Sequence, residues 1–432
     1  MKKKPLKPKT MKNLVKLSTL VMVFFTVTIL NAQEKQAMDT MPFQFGLISP
    51  IGTNGLNSWN TVNNFSLNLW GGYAGGLDGF EASGFVSVLK GDMKGAQFSG
   101  FVNANLGNTK GAQFAGYLNF NKQEFEGVQL AGFVNTVTNN TEGVQAAGFV
   151  NTVVGEFDGA QFAGFVNVAT KESSGAQFAG FVNTVTDSID GFQGAGFVNY
   201  SMGNSLGQAS GFMNANVGDL NGVQASGFVN VNTGKVKGAQ LAGFVNITKR
   251  LKGTQIGFFN YVDSLESGTP IGFLSFVRNG YRAFEVSTSE TLYGIATFKT
   301  GTRNFYNIFS LGGGMQNEQI LWGWGYGLGT IIDVSKKMDI AMEVQAFHIN
   351  QDVWNTNHLN LLNKVSIQAA YQIMPSLEVF GGPTFNVVVS DTENSEGNVV
   401  SSLIAPYTTF SKVYSDGTKV EMYPGFTLGV RF

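Results

Sequence analysis

A nine-residue pattern, Gly-x-Gln-x-Ala-Gly-Phe-Val-Asn, recurs with small variations through the middle of this chain and limits its fold more than any other feature. A fixed period is the sequence signature of a repeat architecture, in which each unit packs only against its neighbours. We therefore predict an array of thirteen units over residues 79–277. The second glycines of the units are Gly84, Gly100, Gly116, Gly132, Gly148, Gly164, Gly180, Gly196, Gly211, Gly227, Gly243, Gly257 and Gly272.

Each unit of the array is predicted to be one long bent strand or two short strands, followed by a tight turn, rather than helix. Glycine at this density disfavours a helix, and the variable segments carry turn signals at 106–108, 154–156, 217–219 and 233–235. Side chains alternate along a strand. A continuous strand would therefore have Gln97, Ser99, Phe101 and Asn103 on one face, and Ala96, Phe98, Gly100 and Val102 on the other.

Two architectures fit the repeat. In a β-solenoid each unit is one coil, and equivalent side chains lie about 4.8 Å from their copies, as ladders of Gln, Asn and Phe. In a barrel meander each unit is one strand, and neighbouring units run in opposite directions. Seven consecutive intervals of 16 residues favour the solenoid, because an added residue breaks a ladder whereas the loops of a barrel can grow.

The segment 281–432 loses the repeat and alternates in the manner of an outer-membrane-type antiparallel β-barrel. Residues 321–329 place Trp322, Trp324 and Tyr326 on one face and glycines on the other, which predicts a lipid-facing aromatic row. The predicted fold class of the whole chain is therefore all-β. The predicted barrel strands are 289–299, 304–314, 321–329, 338–347, 365–373 and 376–390.

The last ten residues form an alternating strand that places Phe426, Leu428, Val430 and the terminal Phe432 on one face. A strand of this kind that ends in phenylalanine resembles the signal that the outer-membrane barrel assembly machinery recognises. We therefore expect that machinery as a partner, contacted through the strand that ends at Phe432. The expected location is the cell outer membrane.

Two segments precede the array. Residues 1–33 combine a basic stretch with an apolar run at 17–30, which is shorter than the roughly 20 residues of a membrane-spanning helix. This pattern predicts a secretory signal peptide that is cleaved and directs the chain to the general secretory route. Residues 42–78 contain strand-like segments, and we expect these N-terminal strands to pair with the barrel.

Charge and cysteine content exclude several classes of function. The segment 1–33 holds seven lysines and no acidic residue, so 21 basic and 29 acidic side chains remain after it, a net charge of −8. Nucleic acid is therefore not an expected partner, because basic side chains drive its binding. The chain has no cysteine, which excludes disulfides and thiol chemistry.

A family resemblance follows from the order of these segments. The chain reads "FSLNLWGG" at 65–72, then the repeats, then "PIGFLSFV" at 270–277, "FKTGTRNFYNI" at 298–308 and "GYGLGTIIDV" at 325–334. This order resembles the surface-repeat-containing outer-membrane proteins of Gram-negative bacteria. The resemblance implies a surface-associated protein of the cell envelope, and it supplies no catalytic or ligand-binding residue.

No catalytic, cofactor-binding or metal-binding residue is predicted. The two histidines, His348 and His358, are ten residues apart and lack the i, i+4 spacing of a metal pair on a helix. The hypothesis for function is a non-enzymatic outer-membrane or cell-surface scaffold, whose surface ligand the sequence does not identify. The alternative is an outer-membrane pore, in which repeat strands form a barrel wall and Gln and Asn line its interior.

Overall fold

The computed structural model of the chain describes residues 38–316, 318–351, 353–354, 358–391 and 404–432. These residues form an all-β fold, in which a parallel β-solenoid of about fourteen turns precedes a closed antiparallel barrel of eight strands. The predicted signal peptide lies outside the described residues. Within them, no helix is both long enough and apolar enough to cross a membrane.

Each typical coil of the solenoid consists of a seven-residue strand, a glycine corner, a four-residue strand and a turn. The coil of Gly164, for example, has strands at Phe157–Ala163 and Val166–Ala169. Successive coils pair in parallel and in register, so that Gln145 lies beside Gln161. The predicted solenoid is therefore confirmed, and the meander alternative is wrong because it requires neighbouring units to run antiparallel.

The solenoid sheet contains 26 strands within the described residues. In chain order they are β1 Asp39–Ile48, β2 Ile51–Gly52, β3 Thr61–Ala74, β4 Gly76–Ser83, β5 Val86–Leu89, β6 Met93–Ser99, β7 Val102–Asn105, β8 Thr109–Ala115, β9 Leu118–Asn121, β10 Phe125–Ala131, β11 Val134–Val137, β12 Thr141–Ala147, β13 Val150–Val153, β14 Phe157–Ala163, β15 Val166–Ala169, β16 Ser173–Ala179, β17 Val182–Val185, β18 Ile189–Ala195, β19 Val198–Ser201, β20 Ser205–Ser210, β21 Met213–Asn216, β22 Leu220–Ser226, β23 Val229–Ala242, β24 Val245–Ile256, β25 Phe259–Ile271 and β26 Leu274–Val277. A 3-10 helix at Gly55–Asn60 lies between β2 and β3. The predicted turn at 233–235 lies inside the continuous strand β23.

Two glycines of the unit are required by the close approach of successive coils. A Cβ added at the corner residue Gly164 would lie 2.1 Å from the carbonyl oxygen of Gly148 in the preceding coil. Gly159 has a φ of +135°, and a Cβ there would lie 1.9 Å from the oxygen of Gly143. Both contacts are far inside van der Waals distance, so neither position accepts another residue without moving the backbone.

The corner also corrects the predicted faces of the unit. A continuous strand would place Phe101 on the same side as Gln97 and Asn103. The chain instead bends at Gly100, so Gln97 and Asn103 both point inward and are fully buried, whereas Phe101 points outward and is 39% exposed. Alternation along one strand fails here because the unit contains two strands, and the chain changes direction at the corner between them.

The N-terminal strands belong to the solenoid, so their predicted pairing with the barrel is wrong. β1 and β3 pair in parallel, with Phe43 opposite Phe65, and β3 then pairs with β4 and β5 of the array. Their sequences keep the inward polar residues of a coil, such as Asn63 and Asn68, but lack the repeated pattern. This segment therefore adds coils before the first recognisable unit.

The predicted antiparallel barrel is confirmed. Eight strands form a closed ring in which the last strand pairs with the first, and the backbone groups of Phe284 and Phe432 exchange hydrogen bonds of 3.2 and 2.8 Å. A short ninth strand pairs with the start of the last one. The strands are β27 Tyr281–Ser289, β28 Gly294–Gly301, β29 Tyr306–Gln316, β30 Gln319–Asp333, β31 Met338–Gln351, β32 Asn360–Met374, β33 Leu377–Ser390, β34 Phe410–Val413 and β35 Lys419–Arg431.

Candidate functional site

The repeated glutamines form a continuous amide ladder inside the solenoid. From Gln113 onward each Nε2 donates to the Oε1 of the glutamine one coil earlier, at 2.7 to 3.0 Å, and every member is fully buried. The polar side chains therefore find their partners in their own copies. The members are Gln97, Gln113, Gln129, Gln145, Gln161, Gln177, Gln193, Gln208, Gln224, Gln240 and Gln255.

The repeated asparagines form a second ladder that runs in the opposite direction. Up to Asn246 each Nδ2 donates to the Oδ1 of the asparagine one coil later, at 2.9 to 3.0 Å. The same Nδ2 also donates to a backbone carbonyl of the next coil, as Asn167 does to Phe178 at 2.8 Å. The members are Asn103, Asn119, Asn135, Asn151, Asn167, Asn183, Asn199, Asn214, Asn230, Asn246 and Asn260.

Glu81 ends the glutamine ladder at its N-terminal side. Its carboxyl group occupies the glutamine position of the first unit and accepts a hydrogen bond from Gln97 Nε2 at 3.0 Å. Ser87 also donates to it. The side chain is fully buried, and desolvation raises the pKa of Glu81 above its usual range. A protonated Glu81 is the closest mimic of the glutamine that the ladder repeats.

Thirteen aromatic rings stack along the outside of the corner, and we call this row the corner column. Neighbouring ring centroids lie 4.8 to 5.6 Å apart with planes within 14° of parallel. Every ring is at least 38% exposed. The members are Phe85, Phe101, Tyr117, Phe133, Phe149, Phe165, Phe181, Phe197, Phe212, Phe228, Phe244, Phe258 and Phe273.

The corner column is the centre of a broader apolar surface, the apolar edge. It comprises the corner column and the outward positions four and two before, and two and four after, each reference glycine, as at Ala96, Phe98, Val102 and Ala104. In the units of Gly257 and Gly272, which are one residue shorter before the glycine, the first two positions are three and one before it. None of these positions holds Asp, Glu, Lys or Arg in any of the thirteen units. The opposite side, the turn edge, carries the charges, and Lys110 and Glu126 of adjacent coils form an ion pair of 2.7 Å there.

The barrel has the reverse arrangement, with charged groups in its interior. Lys299 Nζ donates to Glu285 Oε1 at 2.6 Å and also to Glu343, and Arg431 Nε donates to Glu285 at 2.5 Å. Lys299 is completely buried, as is the ring of Tyr306, whose hydroxyl donates to Glu343 at 2.7 Å. The charges therefore neutralise one another inside a closed wall.

Among the described residues, little open space remains beside the ion pairs of the barrel interior. A cavity of about 20 Å³ remains beside the ion pairs, lined by Glu285, Lys364 and Gln368 among others. Towards the other end an apolar cluster fills the lumen, and its members are Leu292, Ile295, Leu321, Phe347, Ile349, Leu362, Val388, Ile404 and Tyr423. A volume of this size holds about one water molecule.

The outer wall of the barrel is apolar. The outward side chains of β30, such as Trp324 and Leu328, alternate with buried glycines as predicted. The last strand also follows its prediction, because Phe426, Leu428 and Phe432 point outward whereas Arg431 points inward. The outward rows of β30, β32 and β35 hold no Asp, Glu, Lys or Arg.

The last coil of the solenoid is capped by side chains of the barrel wall. Asn307 Nδ2 donates to the carbonyl of Gly272 at 2.7 Å, and its Oδ1 accepts from the amide of Ser275 at 2.8 Å. The hydroxyl of Tyr326 donates to the carbonyl of Phe273 at 3.1 Å. Elsewhere in the array the carbonyl equivalent to that of Phe273 accepts from the next coil, so the barrel replaces the missing coil.

The side chains that could take part in catalysis or metal binding make contacts within the fold. His348 lies on β31, with its ring 6.0 Å from that of Trp324. No group of three or more His, Asp or Glu residues in the described part of the chain could hold a metal ion. Sequence reasoning missed the ion-pair cluster of Glu285, Lys299, Glu343 and Arg431, which we call the Lys299 cluster. A signal was present, because Glu285 and Arg431 each lie between outward apolar residues.

The chain has no detectable relative in the comparisons made with known proteins. No family model matches it, and neither a curated protein nor a solved structure shows significant similarity.

Proposed function

We propose that this chain is a non-enzymatic outer-membrane protein whose barrel anchors a rigid solenoid, which acts as a structural or binding scaffold. The observation that carries the proposal is the inverted character of the barrel, apolar outside and charged inside. A lipid environment favours this arrangement, whereas water favours its reverse. Seven of the eight ring strands have nine or more residues, and a tilted membrane-spanning strand needs about 9 to 11.

The connections between strands suggest an orientation for the barrel. At one end they are short, at 302–305, 334–337 and 375–376, and the solenoid joins the barrel at this end. At the other end two longer connections occur, at 352–359 and 391–418. Membrane barrels have short periplasmic turns and longer outer loops. We therefore propose that the short-turn end, and the solenoid with it, faces the periplasm rather than the cell surface.

Single cysteines test the location and the orientation without background labelling, because the chain has no native cysteine. Ser415 is exposed in the longest connection, and Ser335 is exposed in a short turn. We expect a membrane-impermeant maleimide to label Ser415→Cys on intact cells, and Ser335→Cys only after the outer membrane is permeabilised. Equal labelling of the two variants, or fractionation of the protein away from the outer membrane, would contradict the proposal.

The C-terminal strand is proposed to bring the chain to the barrel assembly machinery. Phe432 is 59% exposed on the outer wall, and its backbone closes the ring against Phe284. We expect Phe432→Asp to reduce the heat-modifiable barrel in outer membranes while export across the inner membrane continues. Thr427→Ser, an inward change on the same strand, is the control.

Transport is the second candidate, and two observations weigh against it. The Gln and Asn side chains of the repeats are hydrogen-bonded to their own copies, so they line no channel. The barrel lumen is filled by the Lys299 cluster and the apolar cluster above it. We expect well-inserted protein to give no stable conductance in planar bilayers, and regular channels would reverse this preference.

A further inference from the structure

We propose that the solenoid lies in the plane of the membrane, with its apolar edge inserted into one leaflet and its turn edge in water. The partner of this surface is the acyl chains of a lipid bilayer. The inference rests on the proposed function, because it takes the outer wall of the barrel to be in contact with lipid.

The direction of the solenoid follows from the hydrogen bonds at its junction with the barrel. The backbone groups that meet the barrel point along the solenoid axis. In other coils the carbonyl of the corner aromatic residue accepts from the next coil, as Phe133 does from Val150, and the carbonyl of the corner glycine points at the glycine of the next coil, as Gly148 does at Gly164. Their partners, Asn307 and Tyr326, are outward side chains of the barrel wall. The solenoid axis therefore leaves the wall sideways, which is parallel to the membrane if the barrel spans it.

The depth of the solenoid follows from which barrel residues it meets. Phe273, the last ring of the corner column, stacks on Tyr326 at 4.6 Å. Tyr326 lies between Trp324 and Leu328 in the outward row of β30, and both of these are exposed. The corner column therefore meets the barrel wall among its outward apolar side chains.

The apolar edge also points in the direction that insertion requires. Ser275 lies beyond Phe273 towards the turn of the last coil, and its carbonyl accepts from Thr300 near the end of β28. Val277 packs beside Gly280 near Gly301, at the short-turn end. The coil thus runs from the apolar belt at its corner to the rim of the barrel at its turn, which directs the charged turns of the array towards water on the short-turn side.

The size of the apolar edge makes an uncovered state unfavourable. Thirteen coils at about 4.8 Å, with about nine extended residues across the edge, give a surface of roughly 1,800 Å², whereas a soluble monomer rarely exposes an apolar patch above a few hundred Å². Lipid is favoured over a second copy of the chain as the cover, because the corner column is continuous with the outer wall of the barrel.

The test uses single-cysteine variants of the full chain, labelled with the fluorophore NBD and reconstituted into phosphatidylcholine vesicles. Phe165→Cys reports on the corner column, and Val166→Cys is a second reporter on the same edge should the first variant fail to fold. Ser174→Cys reports on the turn edge of the next coil, where the side chain is exposed. Ile367→Cys, an outward residue of β32 that is 53% exposed, reports on the barrel wall.

We expect brominated acyl chains to quench the Phe165→Cys and Ile367→Cys labels to a similar extent, and aqueous iodide to quench the Ser174→Cys label. Quenching of the Ile367→Cys label by lipid together with quenching of the corner label by iodide would overturn the inference and leave the proposed function intact. Lipid quenching at none of these sites would overturn the proposed function itself. Disulfide-linked dimers of unlabelled Phe165→Cys in place of lipid quenching would identify a second copy as the cover and also overturn the inference.

Discussion

The ring of Phe273 stacks on the ring of Tyr326 with centroids 4.6 Å apart and planes at 22°. The distance is slightly shorter than the 4.8 to 5.6 Å between rings of the corner column, so the ring of a barrel residue continues the stack that begins at Phe85. A solenoid must end somewhere with unpaired backbone groups, which invite aggregation. In this chain the outer wall of the barrel covers that end.

The junction provides a first prediction. Tyr326→Ala removes both the stack on Phe273 and the hydrogen bond to its carbonyl, which together contribute about 1 to 3 kcal/mol. We expect faster tryptic cleavage at Arg278, whose exposed side chain lies in the connection between the two parts. Tyr326→Phe keeps the stack and should show a smaller effect. Equal cleavage in Tyr326→Ala and in Trp324→Ala, a neighbouring outward change, would argue against this junction.

The glutamine ladder provides a second prediction. Gln161→Leu leaves the Oε1 of Gln145 without its ladder donor and the Nε2 of Gln177 without its ladder acceptor. Each buried group that loses its partner costs about 1 to 3 kcal/mol. We expect a lower urea midpoint, measured by circular dichroism of the full chain in detergent. Thr152→Val, an outward change of similar shape, should leave the midpoint unchanged, and matching midpoints for the two variants would refute the role of the ladder.

The pKa of Glu81 provides a third prediction, on pH dependence. Burial raises the pKa in the folded chain above its value in the unfolded chain. Below the unfolded value both states are protonated, and as pH rises through it unfolding releases a proton, so the free energy of unfolding falls until the folded pKa is passed.

Glu81→Gln removes this proton release. As pH rises from about 4, the usual value for an unfolded glutamate, we expect the unfolding midpoint of the wild type to fall relative to that of Glu81→Gln. Glu142→Gln, a change on the exposed turn edge, is the control and should track the wild type at every pH. A constant difference between wild type and Glu81→Gln would show that the carboxyl group is not held in its neutral form.

The interior of the barrel provides a fourth prediction. Lys299→Met leaves Glu285 and Glu343 without their shared cation, and breaking a buried ion pair costs about 3 to 5 kcal/mol. We expect less heat-modifiable barrel on gels. The double variant Lys299→Met with Glu343→Gln should recover part of the loss, and Lys412→Met, an exposed lysine on β34, should lose none. No difference between these variants would mean that the cluster does not stabilise the barrel.

The solenoid could be predicted because its constraints are local. Gln161 and Gly164 are fixed by contacts with their own copies, and such contacts impose a strict period that the sequence displays. The direction of Phe101 could not be obtained from alternation, because the corner at Gly100 interrupts it. The N-terminal coils were not predicted because their sequence lacks the repeated pattern, although it keeps inward polar residues such as Asn63 and Asn68.

The barrel was predictable as a class but not in its contacts. Alternation along β30 and β35 indicates which side chains point inward, and this holds for Arg431. The contact between Lys299 and Glu343, which are 44 positions apart, depends on the register between barrel strands. The sequence of a single strand does not determine that register. The contact of the solenoid with Asn307 and Tyr326 could not be predicted either, because both residues belong to outward rows that otherwise form the exposed wall of the barrel.

Electron cryomicroscopy of the full chain in lipid nanodiscs tests the central claim most directly. The account predicts a rod that leaves the barrel within the plane of the disc, with the corner column inside the lipid density and the turns in water on the short-turn side. A rod that projects away from the disc, with Phe85 to Phe273 surrounded by solvent or by a second rod, would contradict it.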